Sequence, residues 1–436
     1  MRTGLLLLVA GSLAAQQPPG MLTREQMQAD LRQLAAETAR EWAYAEDRRR
    51  NAALDLPALA RAMIPRLDAV QDPAGFAGLV REFVAALQDG HAFVTWSGSE
   101  RLPFHRWPVT VVDTPDGLVV DTVLPTWTGA VAPFLRGDVV LAVDGTPLAE
   151  RIAAAARHTN ASTAAARRAW AVRDSLFNAA DPARYTVRRA DGSEATFTAA
   201  AAAHHPEARA VERRLESRRL AAGVAYLRIP TFAHADPKAW AAARPAERPT
   251  LLANDIAALR AAFVDARSSR ALVLDLRGNG GGTDLLGMEV AACLLPPDSI
   301  YYGLSSRGFL GGWSRPVFHR LRVAGEPPRF AGQLLVLVDE GAFSTTDNLC
   351  RCLDDLHPDV TFVGRPTGGG TGAPRACVTL RHSRIVVGFC TMRVYGPKGE
   401  LIEGRGTTPD VPVVPTRADV VAGRDPDLAA ALRLVR

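Results

Sequence analysis

The chain has 436 residues, with 51 Lys+Arg against 46 Asp+Glu, and 47% of its residues are apolar and 22% charged. That length is too great for one ordinary domain, and the composition argues against a disordered chain, a collagen-like fibre and a polytopic membrane protein. The formal charge of +5 comes from scattered arginines, with Arg48-Arg49-Arg50 the longest run, so no nucleic-acid partner is expected.

In chain order, Arg2 precedes the apolar run Leu5 to Ala10, small residues at Gly11, Ser12, Ala14 and Ala15, and then Gln16-Gln17-Pro18-Pro19. This is the pattern of a secretory signal peptide, residues 1–15, cleaved after Ala14 or Ala15. No Cys follows the small residues, so no lipid anchor is expected. The apolar run is far short of the ~20 residues that span a bilayer, and no later stretch is long and apolar enough. The expected product is exported, periplasmic or extracellular, without an integral membrane segment.

From Met21 to Ala92 the spacing predicts helices. Leu31, Leu34, Ala35 and Thr38 recur on one face, as do Phe76, Leu79, Val80, Phe83, Val84 and Leu87. Asp89-Gly90 reads as a C-cap that leaves His91 just beyond it. From Phe104 to about Ala202 strand patterns follow: Val109 to Val112, Gly117 to Val120, Val139 to Val143, and a hairpin of Tyr185–Arg189 and Glu194–Thr198 around Asp191-Gly192. The Ala-rich stretch Ile152 to Ala171 reads as one helix, and Ala199 to Pro206 as a linker. From Val211 onward apolar strands (Val224–Ile229, Leu272–Leu276, Leu334–Val338) alternate with helices, as a helix-covered sheet requires.

Five cysteines, Cys293, Cys350, Cys352, Cys377 and Cys390, lie in the last third, and their odd number leaves at least one thiol unpaired. Cys350 and Cys352 point to different faces of a helix, and no His-Glu-x-x-His is present, so no metal and no cofactor are expected. The glycine run after Leu276 lacks the third Gly of a dinucleotide fingerprint and the Lys of a phosphate loop. Its glycines would instead let a backbone N–H approach a substrate carbonyl. Ser344 sits at a sharp strand-to-helix turn, where it is either an N-cap or an exposed nucleophile with free backbone donors behind it. A serine nucleophile needs a base. His91 is one candidate, and Glu403, on an expected strand, is a candidate to orient an imidazole.

Asp89-Gly90-His91, Leu135 to Gly145, Tyr226 to Phe232, Asp275 to Gly282, Ser344-Thr345-Thr346-Asp347 and Glu403 to Val411 occur in one order. In that order the chain resembles the tail-specific (C-terminal processing) and tricorn-like serine peptidase superfamily, which also includes retinoid-binding-protein-like repeats. The resemblance covers nearly the whole mature chain. It implies an α/β multidomain protein: an N-terminal helical domain over residues 21–95, a PDZ-like domain over 104–203, and a crotonase-like β/α serine peptidase core domain over 211–436. Leu135-Arg136-Gly137-Asp138 looks like the turn into a PDZ strand, which would take an extended substrate strand or a C-terminal carboxylate.

The tail-specific branch pairs its Ser with a Lys where this chain has Gly370. The tricorn-like, His-dependent branch uses a His and a late Glu, and His91 and Glu403 fill those places. The Ser that precedes the His in that branch is here Gly90. The resemblance thus implies Ser344 as nucleophile, His91 as general base and acid, Glu403 as support for the imidazole, and an oxyanion hole made by the N–H of Thr345 with that of Gly281 or Gly282. The implied substrate is a peptide or an unfolded protein segment. A non-catalytic peptide- or apolar-ligand-binding protein on the same fold is the alternative, and a small-substrate esterase shares the chemistry.

Overall fold

The computed structural model describes residues 22–96, 105–203, 215–220, 223–234, 236–308 and 311–436. The expected signal peptide and the His204 to Pro206 end of the expected linker lie outside the described residues.

The chain begins with α1 (Arg24–Glu41), α2 (Ala45–Ala52), α3 (Leu56–Met63) and α4 (Pro73–Ala86). A capping box between Thr23 and Gln26 starts α1. Asp72 caps α4, with Pro73 at its first position. The apolar stripes expected on α1 and α4 are buried, but they do not close a core among themselves. They pack against Val378, Leu380, Ile385, Val387 and Phe389 from far along the chain. Helix α4 ends sooner than the Asp89-Gly90 cap would place it. The left-handed residue at its end is Gln88, with φ 53°, so Gly90 is a glycine for another reason.

After the short strand β1 (Phe93–Thr95), residues 105–203 build a separate module around their own apolar cluster of Trp107, Phe134, Tyr185 and their neighbours. Its strands are β2 (Val109–Thr114), β3 (Gly117–Val123), β4 (Val139–Val143), β5 (Ala183–Arg188) and β6 (Glu194–Ala199), antiparallel in that spatial order. Helices α5 (Leu148–Ala156) and α6 (Ala164–Ser175) lie between β4 and β5. The single helix expected over Ile152 to Ala171 is therefore two. Residues 157–163 form a loop, and the Thr163 side chain accepts from Ala166 N–H to start α6 afresh. A polar run, Thr159-Asn160-Ala161-Ser162-Thr163, outweighs the alanines around it.

The C-terminal half contains β7 (Glu216–Leu220), β8 (Val224–Arg228), α7 (Ala253–Ala266), β9 (Ala271–Asp275), α8 (Asp284–Leu294), β10 (Ile300–Ser306), β11 (Gln333–Val338), α9 (Thr345–Leu356) and β12 (Val360–Gly364). They are followed by β13 (Pro374–Thr379), β14 (Val386–Cys390), β15 (Met392–Tyr395), β16 (Val411–Pro412), α10 (Arg417–Ala422) and α11 (Pro426–Arg433). The main sheet runs β7-β8-β9-β11-β12-β16, parallel throughout except for the β7–β8 pair. Residues of α7, α8 and α9 share the large core on one face, and Ala430 and Ala431 of α11 pack on the other. Every residue of β9 is buried, as a strand covered on both faces must be.

Two devices position the site. β1 pairs with β14, which ties the segment after α4 to the C-terminal half. At the end of β9, Arg277 binds Asp275 through both Nε (3.0 Å) and an NH2 group (2.7 Å) and reaches Asp425 and Asp427 at the start of α11. Asp275 is fully buried, so its charge depends on this partner. Arg277→Ala is expected to destabilise the protein by roughly 3 kcal/mol, read as a lower urea midpoint with an unchanged m-value.

Candidate active site

Ser344 closes the turn between β11 and α9 with φ 64° and ψ −122°. This lies outside the ordinary regions for a residue with a Cβ, and such a conformation costs about 1–3 kcal/mol unless its surroundings enforce it. Here they do. Ser344 N–H donates to Gly370 O at 2.9 Å, and Gly368 N–H donates to Ala342 O at 2.8 Å, so the glycine loop 368–370 holds both sides of the elbow. The Ser344 side chain makes no capping bond to α9. It points instead to His91, whose Nε2 lies 3.0 Å from Oγ. Of the two readings of Ser344, the cap is the one the geometry does not contain.

His91 reaches this position from the other side of the chain. Asp89, also buried, accepts from His91 N–H at 2.9 Å and from Trp42 Nε1–H at 2.9 Å, fixing the turn after α4. The imidazole packs on the Phe343 ring with centroids 4.5 Å apart. Burial pushes its pKa down to about 4 against the opposing pull of Asp89, so the ring is neutral at physiological pH and able to accept a proton.

Glu403 is half-buried with its Oε1 enclosed, in a turn that follows an isolated bridge of Leu401 to Tyr395 and not on the strand expected for it. Its Oε2 accepts from Thr371 N–H at 3.0 Å. Burial, and then the charge of Asp89, push its carboxyl well above the usual range, while Ser162, Thr371 and Arg48 act the other way. It does not bond directly to His91: His91 Nδ1 and Glu403 Oε1 are both buried without a hydrogen-bond partner among the described residues.

Of the expected oxyanion donors, Gly281 and Thr345 lie side by side at the elbow. A Cβ on Gly281 (φ +85°) would come within 2.7 Å of Ser344 Cβ and 2.8 Å of Thr345 N. That closeness is what a glycine there permits. Gly281 N–H, however, donates to Asn279 Oδ1 at 3.0 Å, which leaves Gly282 as the better second donor beside Thr345 at the start of α9.

Two further groups were not among the expected site residues, although Asp347 belongs to the Ser344-Thr345-Thr346-Asp347 motif. Asp347, in the first turn of α9, accepts from Thr367 Oγ1 (2.5 Å), Gly369 N–H (3.0 Å) and Gly370 N–H (3.2 Å). It anchors the glycine loop to the elbow. Ser162, in the 157–163 loop, accepts from Gly90 N–H at 2.9 Å. A hydroxyl is thus present beside Gly90, although position 90 carries none.

Asp89, His91 and Cys390 bring three ligand-type atoms within 4.8 Å of one another. Asp89 is already engaged by Trp42, His91 and Cys390 N–H groups, and burial holds the Cys390 thiol well above its usual pKa. This donor set fits a hydrogen-bonded turn, not a cation. All five cysteines are unpaired.

Residues 223–413 match the family model of peptidase family S41. Over these residues the chain is similar to peptidase family S41. The whole mixed α/β architecture follows S41 protease structures. It superposes on mature CPAF in complex with lactacystin with a TM-score of 0.72 at 16% identity, covering 91% of this chain and 95% of that one. A Parabacteroides merdae protein described as a peptidase gives 0.52 at 16% identity over 95% and 97% of the two chains. An S41 family protein of Bacteroides fragilis gives 0.50 at 16% identity over 92% and 96%. No curated protein matches. Similarity to S41 supports the serine-type peptidase class, and with it a peptide or protein substrate.

Burial raises the Asp347 pKa to about 7, above its unfolded value. The folded state therefore retains a proton that the unfolded state has lost, and stability falls as pH rises from about 4 to about 7, then levels off. Asp347→Asn can still accept from the Gly369 and Gly370 N–H groups and donate to Thr367 Oγ1. Melting temperatures across pH 4 to 8 are expected to fall less for this variant than for wild type.

Proposed function

We propose that the chain is an exported serine peptidase that hydrolyses peptide bonds in peptides and in unfolded or C-terminal protein segments through Ser344, His91 and Glu403. The observation that carries this reading is the 3.0 Å contact between Ser344 Oγ and a buried His91 Nε2, across 253 positions of sequence. A binding protein has no need of a strained serine aimed at a neutral imidazole.

In this mechanism Ser344 Oγ attacks the scissile carbonyl while His91 Nε2 takes its proton. The carbonyl oxygen, now an oxyanion, lies between the Thr345 and Gly282 N–H groups, helped by the N-terminal end of the α9 dipole. His91 then gives the proton to the leaving amine, and a water activated by the same imidazole releases the acyl group. Glu403 supports the imidazolium through the buried network and not by direct contact. The module of residues 105–203 serves as a PDZ-like unit that receives an extended substrate. Exposed apolar side chains at Trp127, Val131 and Leu135 between β3 and β4 support that role. A substrate strand added at a sheet edge is the expected mode.

The test is labelling of the mature protein with a fluorophosphonate, followed by intact mass. One adduct is expected on wild type and none on Ser344→Ala. His91→Ala should label at least ~100-fold more slowly, the usual worth of a general base. Labelling that survives His91→Ala would keep the nucleophile and reject the base. Folded wild-type protein that takes no label across pH 6 to 9 would instead favour the binding-protein reading. Comparison of a nitrophenyl ester with an unfolded casein-like protein then separates esterase from peptidase.

A further inference from the structure

We propose that the Thr345 side chain is a positioning group of the oxyanion hole: its hydroxyl latches the Gly281-Gly282 loop to the start of α9 and so sets the spacing of the two backbone donors. This rests on the reading of Ser344 as nucleophile and of the Thr345 and Gly282 N–H groups as those donors.

The loop after β9 is held first to its own side of the site. Gly281 N–H donates to Asn279 Oδ1 at 3.0 Å, and Gly281 O accepts from Phe232 N–H at 3.0 Å. Thr283 N–H donates to Phe232 O at 2.8 Å. The Gly281–Gly282 peptide is trans, so with its C=O turned to Phe232 its N–H points the opposite way. Gly282 is exposed, as a donor that meets a substrate must be. Neither Gly282 N–H nor Thr345 N–H has an acceptor among the described residues, so both are available to an oxyanion.

Among the described residues, two hydrogen bonds cross from residues 279–282 to residues 343–345. Phe343 N–H donates to Asn279 O at 3.0 Å, two residues short of the glycines. The other is the Thr345 latch: Oγ1 donates to Gly282 O at 3.2 Å, across 63 positions of sequence. Its two ends are the very residues whose N–H groups are free. A Cβ on Gly282 would lie 2.0 Å from Phe232 C, so the loop has backbone directly behind it. Sliding past the start of α9 is the movement left to it, and the latch opposes that movement.

The surroundings also fix the rotamer. Thr345 is 2% exposed, and a Cβ on Gly287 of α8 would come within 2.8 Å of its Cγ2. Gly287 thus leaves room for the methyl group, and a stiff β-branched side chain with its methyl seated has its hydroxyl directed. Thr346 gives the contrast, since its buried Oγ1 has no partner among the described residues. Asp284, at the start of α8, is the other acceptor near the Thr345 hydroxyl, and it accepts from Asn348 Nδ2 at 3.1 Å. Donors to an oxyanion act only when held close to the productive geometry, which is what a latch between the two supplies.

Fluorophosphonate labelling of the full chain over a range of probe concentrations tests this, because it separates the dissociation constant of the first complex from the rate of the chemical step. Charge on the phosphoryl oxygen grows only in that step. Thr345→Val keeps the N–H and the volume and loses the hydroxyl. It is expected to slow the chemical step roughly 10- to 100-fold, against about 100- to 1,000-fold for removal of a whole donor, with the dissociation constant unchanged. Thr345→Ser keeps the hydroxyl and is expected to recover most of the rate. A valine variant that labels at the wild-type rate would sink the proposal. So would a loss confined to the dissociation constant, or a serine variant as slow as the valine one. Asp284→Asn alters the other acceptor and leaves Gly282 O in place; a loss equal to that of Thr345→Val would assign the hydroxyl to Asp284 and overturn the latch. If the valine variant does not fold, Thr345→Ala removes the same hydroxyl and is judged by the same criteria. Failure of the underlying reading shows separately, as wild-type protein that does not label or label that persists in Ser344→Ala.

Discussion

Ser344 can aim its hydroxyl out of the sheet only because its backbone is held at φ 64°, and much of the molecule is arranged to hold it there. The constraint acts from both flanks. Behind the elbow, the last residues of β11 lie in a fully buried parallel strand and leave no freedom to relax. In front, the 368–370 loop takes the Ser344 N–H and is itself pinned by Asp347. The glycines in this region follow from the same geometry, since backbone must approach backbone closely where a helix starts against a loop. Strain of this kind persists only when several independent contacts over-determine it.

Electrostatics shape the remainder of the site. Asp89, His91 and Asp347 are buried around the elbow, and the half-buried Glu403 turns an enclosed carboxyl oxygen inward. In such surroundings a charge is expensive unless hydrogen bonds meet it. Each acid has a defined set of donors: Trp42 and backbone N–H groups for Asp89, the glycine loop and Thr367 for Asp347, and the Thr371 N–H for Glu403. The same burial that burdens the acids is useful for His91, because it keeps the ring neutral and ready to accept a proton.

Much of this was legible in the sequence. The buried strands β8, β9 and β11 were plain as continuous apolar runs, and the stripes of α1 and α4 as helical periodicity. The order of motifs was enough to bring Ser344 and His91 together in expectation. Other features depend on tertiary contacts that no local pattern records. The stripe of α1 and α4 gives no sign that its partner is the β13–β14 hairpin. Glu403 has apolar neighbours in sequence, as a strand residue would, yet it lies in a turn whose burial comes from Thr371 and Tyr44. The alanines between Ile152 and Ala171 favour a helix by propensity, and the break at Thr159 to Thr163 was signalled by a polar cluster and a capping Thr. With that break goes Ser162, which has no motif around it and whose meaning comes from a Gly 72 positions away. Gly90 looked like a helix cap for the same reason: closeness to a remote side chain is invisible to local reading.

Residues 223–413, the part that carries the family's signature, contain Ser344 and Glu403 but neither His91 nor Ser162. Ser344 and His91 therefore come from stretches of chain that are brought together with the pairing of β1 and β14, and the 157–163 loop lies beside them. Before that assembly the serine has no base, and its elbow has lost part of what surrounds it. On the proposed reading, a chain in which these stretches have not met would have a serine without its imidazole, so hydrolysis would report on tertiary assembly. An isolated block cut at residues 223 and 413 would keep Ser344 and Glu403 and lose the imidazole that faces them.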